Sequence, residues 1–505
     1  MQTTAVWRPR GLPDLNFDIL LQIISLLTPR DIAHLTRTCH ALRRALSAEL
    51  PREGVTLEGR HLTSFLAFTD VKHGKDRLSY LQELTLPGST YETISSGDQA
   101  MSLKDVKRAL STILLAASSL RSLFILELDT FSFPPKELKA LLDSLPHLRE
   151  LEMSGVQKKY EGVLVDVLPR LRILGLDFLE EGDPSTFLKA RQCDLREVTL
   201  NGAMLRGVSL SFPTVQILHA CPANLPSDVD ALTRMFPNVR DVTLHFPHDC
   251  GRLDLEFRKD LPRYHLGVAS QAWTNAYAAG TWRGRLLARP QRKADAWPHL
   301  QTLRASGVAM ERMGWLGLAC HVPRFEMCSW RSTMRFNQLV GMLEELRPRC
   351  LVLHPGVVHR RWGNRLLGWL ILWALQYAPY VTRLTVVLCE DAMDVISGGT
   401  QWLETFCTCL EQSCVSFLLL RLHFDRGVST DLSNTLQTWR AAMSEKVPSL
   451  QVFLFQIEDH VHLGWTKKPE GWVEMTEDET RKLVESEKMC PASIETCDSC
   501  EGYLA

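Results

Sequence analysis

The chain lacks an excess of either charge. Its 57 Lys and Arg against 58 Asp and Glu leave a net charge of -1, which removes the basic surplus that nucleic-acid-binding proteins use to hold a phosphate backbone. It also lacks a long hydrophobic run. The longest apolar stretch, Leu366 to Ala378, is interrupted by Gly368 and falls short of the ~20 residues that cross a bilayer. A buried helix is expected there, and no membrane partner. No secretory signal is expected, since Met1 to Arg10 is polar and contains Pro9. With 14 cysteines scattered from Cys39 to Cys500, reduced thiols and a cytoplasmic or nuclear location, or both, are expected.

Catalytic signatures are missing as well. There is no Gly-rich phosphate loop, no HExxH and no GxSxG, so neither an enzymatic activity nor a cofactor is expected. Cys490, Cys497 and Cys500 have no matched second pair, and His462 is distant in sequence. Structural zinc takes four ligands, so no metal site is expected. Cys407, Cys409 and Cys414 lie in a helix-like stretch, where cysteine packs as a small apolar residue.

What is present is the material of a globular protein, 45% hydrophobic and 23% charged, well away from the disordered profile. A chain of 505 residues suggests about three domains or one long repeat array. Residues Leu15 to Leu50 carry three helical signals. Asn16 is a candidate N-cap with Asp18 in the first turn, and the helix runs to Leu27. Ile19, Ile23 and Leu26 form one apolar stripe, and Leu20, Ile24 and Leu27 a second. Thr28, Pro29 and Asp31 open the next helix, which carries Ile32, Leu35 and Cys39. The third sets Ala41, Leu42, Ala45 and Leu46 against Arg43 and Arg44 and stops before Pro51. So few residues cannot bury two stripes against themselves. The surplus stripe meets either a partner or the rest of the chain.

This segment resembles the F-box. Asp18 to Ser25, then Pro29-Arg30-Asp31-Ile32, then Cys39 follow that motif, although Leu12-Pro13 lies three residues ahead of its usual place and Leu42 or Arg43 stands where a tryptophan is common. The resemblance implies docking to a Skp-type adaptor, and through it to cullin and RING subunits, by Leu15, Ile19, Leu20, Ile23, Leu27, Ile32 and Leu35.

Beyond Pro51 a phrase recurs: apolar, Pro, any, apolar. It appears at Leu145-Pro146-His147-Leu148, Leu168-Pro169-Arg170-Leu171, Phe212-Pro213-Thr214-Val215, Phe236-Pro237-Asn238-Val239, Trp297-Pro298-His299-Leu300, Ala378-Pro379-Tyr380-Val381 and Val447-Pro448-Ser449-Leu450. Leu78 to Leu81 and Cys193-Asp194-Leu195 look like copies without proline. Each leads into a strand-like alternation, because proline ends a preceding helix and the following residues alternate sides. Positions 148, 171, 195, 215 and 239 are 23, 24, 20 and 24 residues apart, within the leucine-rich-repeat period. A strand at Phe417 to Phe424 is expected inside the longer gap between 381 and 450.

The repeats are similar to leucine-rich repeats, though loosely. Where that family places Asn or Cys, this chain has Val156, Leu179, Ala203, Ala223, Pro247 and Val308, with Cys389 alone conforming. An irregular solenoid is therefore expected. The fold class is read as α/β, an F-box protein of the fungal type: a three-helix F-box at 11–52, an irregular leucine-rich-repeat-like array at 53–460 with parallel strands on the concave face, and an acidic segment at 461–505 that caps the array or is partly disordered.

Residues alternating with the core positions should face the concave side. They include Glu150, Glu152, Asp177, Glu197 and Asp241, then Arg304, Arg383 and Arg421, so the face is expected to turn from acidic to basic along the array. It is either the seat of a protein substrate or a solvated surface. Two probable insertions concentrate cations, one with Arg283, Arg285, Arg289, Arg292 and Lys293 and one with Arg360 and Arg361, and either could grip a phosphorylated peptide. The reading that unites these features is the substrate-recognition subunit of an SCF-type ubiquitin ligase. A protein-binding scaffold whose F-box packs internally, or binds adaptor alone, is the alternative.

Overall fold

The proline phrase folds as a β-turn. In the computed structural model the N–H of its second apolar residue donates to the carbonyl of its first: Leu148 to Leu145 at 3.3 Å, Leu171 to Leu168 at 3.0 Å, Val215 to Phe212 at 3.3 Å, Leu300 to Trp297 at 3.1 Å, Val381 to Ala378 at 3.0 Å and Leu450 to Val447 at 3.2 Å. Proline suits the second turn position because its φ is preset and it has no N–H to satisfy. Both apolar ends of all seven copies are buried. Leu78 to Leu81 makes the same bond without proline, and so does Ala117 to Leu120, a copy that carries no sequence signal because serines occupy its middle. The structure describes residues 29–38, 54–70, 78–88, 102–131, 133–182, 194–203, 211–221, 227–244, 297–305, 321–327, 346–353, 374–376, 378–388, 400–422, 432–457 and 461–487, with Ile23, Leu27, Leu42, Leu343 and Ile371.

The chain divides into two compact units, Met1–Thr199 and Leu200–Ala505. The first holds helix α1 (Pro29–Thr38), β1 (Val55–Thr56), α2 (Gly59–Asp70), β2 (Glu83–Pro87), α3 (Leu103–Ala116), β3 (Ser122–Leu126), α4 (Leu128–Phe131), α5 (Pro135–Asp143), β4 (Glu150–Val156), α6 (Glu161–Val167) and β5 (Ile173–Gly182). The boundary falls inside β6 (Glu197–Ala203). Strands β1 to β5 pair in sequence order and in parallel, as a strand-turn-helix repeat requires.

Each turn also sets the register of the next strand. The residue after the turn offers one carbonyl to two successive N–H groups of its neighbour. Arg121 O accepts from Arg149 and Glu150 at 2.8 and 2.9 Å, Arg149 O from Arg172 and Ile173 at 2.7 and 3.1 Å, and Arg172 O from Arg196 and Glu197 at 2.8 and 3.2 Å. The side chains then align in rows. Leu84, Leu123, Leu151 and Leu174 form one, and Leu86, Ile125, Met153 and Leu176 another, all at most 1% exposed. Each such side chain contributes about 1.5–3 kcal/mol of burial. The helices turn apolar stripes to this core, Val106, Leu110 and Ile113 from α3 and Leu138, Leu141 and Leu142 from α5.

The second unit continues the pattern through β7 (Ile217–Cys221), α7 (Ser227–Met235), β8 (Asp241–Leu244), β9 (Thr302–Ala305), β10 (Arg324–Met327), β11 (Cys350–Leu353), β12 (Arg383–Leu388), α8 (Thr400–Glu411), β13 (Phe417–Leu422), α9 (Leu432–Lys446) and β14 (Val452–Ile457). These strands are again parallel and in sequence order. Strand β13 stands where an intervening strand is expected. This unit has its own row, through Leu303, Phe325, Leu351, Leu384, Leu418 and Phe453. Helix α9 covers this side, with the Trp439 ring edge-on to Phe455 at 5.9 Å.

The parallel run ends at β14. Strands β15 (Val461–Lys468) and β16 (Gly471–Glu474) pair antiparallel, and α10 (Glu477–Glu487) follows. Of the segment expected as a cap or a partly disordered tail, residues 461–487 form these elements, and residues 488–505 lie outside the described residues.

Candidate binding faces

In each unit the strand face opposite the core rows is the candidate surface. In the first unit it carries Glu150, Glu152, Asp177 and Glu197, of which Glu152 and Asp177 are exposed and the others half-buried. Glu83 joins them from β2, in register with Ser122 and Glu150. The Ser122 hydroxyl donates to Glu150 Oε2 at 2.6 Å. Glu152 lies flat across the next strand because Gly175 is its neighbour: a Cβ at that glycine would stand 2.8 Å from Glu152 Cγ.

A file of arginines borders these acids. Arg121, Arg149, Arg172 and Arg196 occupy equivalent positions on β3 to β6, just before each strand, and all are exposed. Arg149 turns its Nη1 to the carbonyl of Arg170 at 2.9 Å. The sequence reading missed this file, yet the signal is there, because Leu120, Leu148, Leu171, Leu195 and Val239 are each followed by arginine. The face of the first unit is therefore edged with positive charge.

The second unit departs further from expectation. Asp241 is half-buried at the start of β8 and Arg383 is half-buried on β12, but Arg304 and Arg421 are only 5% and 6% exposed. This corrects the expectation that both arginines face solvent. Arg304 Nε donates to Glu326 Oε2 at 3.0 Å inside the protein, and Glu326 is itself 3% exposed. A buried guanidinium needs such an acid, since desolvating an uncompensated charge is costly.

Helix α10 lies on this face, over β13 and β14, and not beyond the edge. Val484 packs with Phe417, Leu419 and Leu454, and Met475 and Leu483 flank it. Thr480 sits over Gly464, where an added Cβ would come within 2.8 Å of its hydroxyl. At the helix end, Glu487 accepts a hydrogen bond from Arg324 Nη1 at 2.8 Å and another from Arg383. The Arg383 guanidinium also stacks 4.1 Å above the Phe417 ring. Cys350 lies beside this cluster, 3.9 Å from Glu487 Oε2. Burial pushes its thiol up to about 11, with Glu487 adding to the rise while Arg324 and Arg383 oppose it, so it is a thiol and not a thiolate at neutral pH.

Of the residues that the F-box resemblance implies, Leu15, Ile19 and Leu20 lie outside the described residues. Ile23, Leu27 and Leu35 are half-buried and Ile32 is 1% exposed. In this conformation Ile32 is buried. Of the three expected helices, α1 is described. Among the described residues no helix is long and apolar enough to cross a membrane, and no group of acids, cysteines and histidines has a metal-holding arrangement. The insertions around Arg283 and Arg360, and Cys490, Cys497 and Cys500, lie outside the described residues.

No protein-family model matches the chain, and no curated protein matches it. Among solved structures it is similar to the leucine-rich repeat-containing protein LegL7 from Legionella pneumophila, at 13% identity and a TM-score of 0.32, over 90% of this chain and 98% of that one. The leucine-rich-repeat-like assignment rests on the chain's own turns and parallel register.

Proposed function

We propose that the chain is a protein-recognition receptor: the repeat units hold a target protein, and the amino-terminal segment docks a Skp-type adaptor and so joins a cullin and RING ubiquitin ligase of the SCF type. The observation that carries the reading is the exposed face of the first unit, where Glu152, Asp177 and a file of four arginines stand on a rigid parallel scaffold. Rows of fixed charge of both signs suit a protein surface of complementary pattern, which gains specificity and association rate more than raw affinity. In this role the chain supplies no bond-making residue. It raises the effective concentration of a target near a carrier-bound ubiquitin.

The test is a pull-down of the full chain with adaptor and cullin. Recovery of both supports the ligase reading, and replacing Ile19 and Ile23 together by Asp should abolish it while circular dichroism stays unchanged, since buried interface anchors carry about 2 kcal/mol or more each. The alternative, a scaffold whose amino-terminal helices pack on the chain itself, is favoured by the burial of Ile32 and of Leu42 at 3%. It predicts no cullin in the pull-down.

A further inference from the structure

Helix α10 carries its own start signals. Thr476 and Glu479 form a capping box: the Thr476 N–H donates to Glu479 Oε2 at 2.9 Å, and the Glu479 N–H donates to Thr476 Oγ1 at 3.3 Å. The carboxyl of Glu479 is held below the usual carboxylate range by the Thr476 N–H and by the Thr476 hydroxyl, which donates to the same oxygen at 2.9 Å. Glu477, Asp478 and Glu479 oppose the positive end of the helix, and Arg481 pairs with Glu477 one turn away at 2.6 Å.

Its attachment is narrow. Thr480, Val484 and Glu487, spaced i, i+4, i+7, are the buried residues, while Arg481, Lys482, Glu485 and Ser486 are exposed. The sheet does not need α10 as an end cap, because β15 and β16 already close the parallel run. Beneath the helix lies a surface with an apolar centre, Phe417, Leu419 and Leu454, and a cationic end, Arg324 and Arg383. With α10 lifted, those two arginines would converge on the place of one missing carboxylate.

We infer that this face of the second unit is a recognition surface for an acidic amphipathic helix of a partner protein, and that α10 occupies it in cis as a stand-in. The inference rests on the reading of the repeat units as a protein receptor. A partner helix fits when a small or hydroxyl residue lies over Gly464, an aliphatic residue follows four positions later between Leu419 and Leu454, and a Glu or Asp follows three after that between Arg324 and Arg383. That is the pattern of Thr480, Val484 and Glu487. Eleven residues make a marginal helix when undocked, so α10 releases by unfolding and leaves the surface to a longer, tighter competitor.

Native-state hydrogen exchange on the full chain tests the first half. The amides of α10 should exchange at least tenfold faster than those of β12 to β14, and Glu487→Gln should raise the α10 rates about tenfold further without changing the strands. Equal protection of α10 and β14, rising and falling together, overturns the inference by making α10 part of the fold proper. The second half uses a labelled peptide of residues 475–487 and the full chain carrying Val484→Asp and Glu487→Lys. The peptide should bind that variant tenfold more tightly than wild type, and a Glu487→Gln peptide should bind it at least tenfold more weakly. No binding to a variant whose strands stay protected overturns the surface. Should the variant not fold, the wild-type exchange result decides. Slower α10 exchange at higher protein concentration, with a dimer in sedimentation, would make the occupant a second copy's helix and overturn the cis assignment. The adaptor pull-down reads a different surface, so loss of the receptor reading and loss of this inference are separable.

Discussion

Arg324 on β10 donates its Nη1 to Glu487 on α10 at 2.8 Å, across 163 positions of sequence, and Arg383 donates to the other oxygen of the same carboxylate. One glutamate thereby ties α10 to two strands and, with Val484, holds it on the strand face instead of past the sheet edge.

The buried pair of Arg304 and Glu326 should be costly to break. Glu326→Ala leaves a guanidinium inside the protein, and stability should fall by about 3–5 kcal/mol. Urea unfolding followed by fluorescence measures it. A loss under about 1 kcal/mol would mean that Arg304 is solvated and that the strand face there is open.

Gly175 should be needed only because of Glu152. Adding a Cβ at 175 pushes on Glu152 Cγ, and overpacking of this kind costs about 1–3 kcal/mol. Gly175→Ala should destabilise the chain, and Glu152→Ala should restore most of the loss when combined with it. Additive effects in this double-mutant cycle would show that the two side chains do not compete for the same space.

Thiol reactivity should separate the cysteines by burial. Cys414 is exposed, while Cys350, Cys407 and Cys409 are buried and held by desolvation at about 11. At pH 8, alkylation followed by mass spectrometry should label Cys414 before Cys350, Cys407 and Cys409, and those three only on unfolding. Because their native values lie above the ordinary 9.0, the stability they confer is complete below about pH 9 and is lost as pH rises toward about 11. Unfolding midpoints that stay level from pH 8 to 11 would contradict this.

The row structure of the first unit should make single truncations costly. Leu151 is fully buried between Leu123 and Leu174, and Leu151→Ala should cost about 2–5 kcal/mol through lost contacts and a cavity. Glu150→Ala, one residue away on the other face, should cost less than about 1 kcal/mol, since it loses only the part-buried bond from Ser122. Comparable losses for the two would mean that the faces are reversed.

Leu148, Leu171 and Val239 were legible as core positions in the sequence, because a proline turn and a period near 24 residues are local patterns, and local patterns dictate which way a side chain points. The parallel strands follow from the same units. The sequence was silent on β10 and β11, where four-residue strands begin directly after Pro323 or Arg349 with no alternation long enough to read. It placed Arg304 and Arg421 on the correct face and their environment wrongly. Alternation along a strand tells inside from outside of one sheet, but whether an outside position meets water depends on what else packs there. For Phe417, Leu419 and Arg383 the answer came from Val484 and Glu487, whose i+3 spacing says they share a helix face and nothing about where the face goes. Only the fold, in which β15 turns back on β14, brings that face over Leu419, Leu454 and the two arginines and gives the carboxylate its charges.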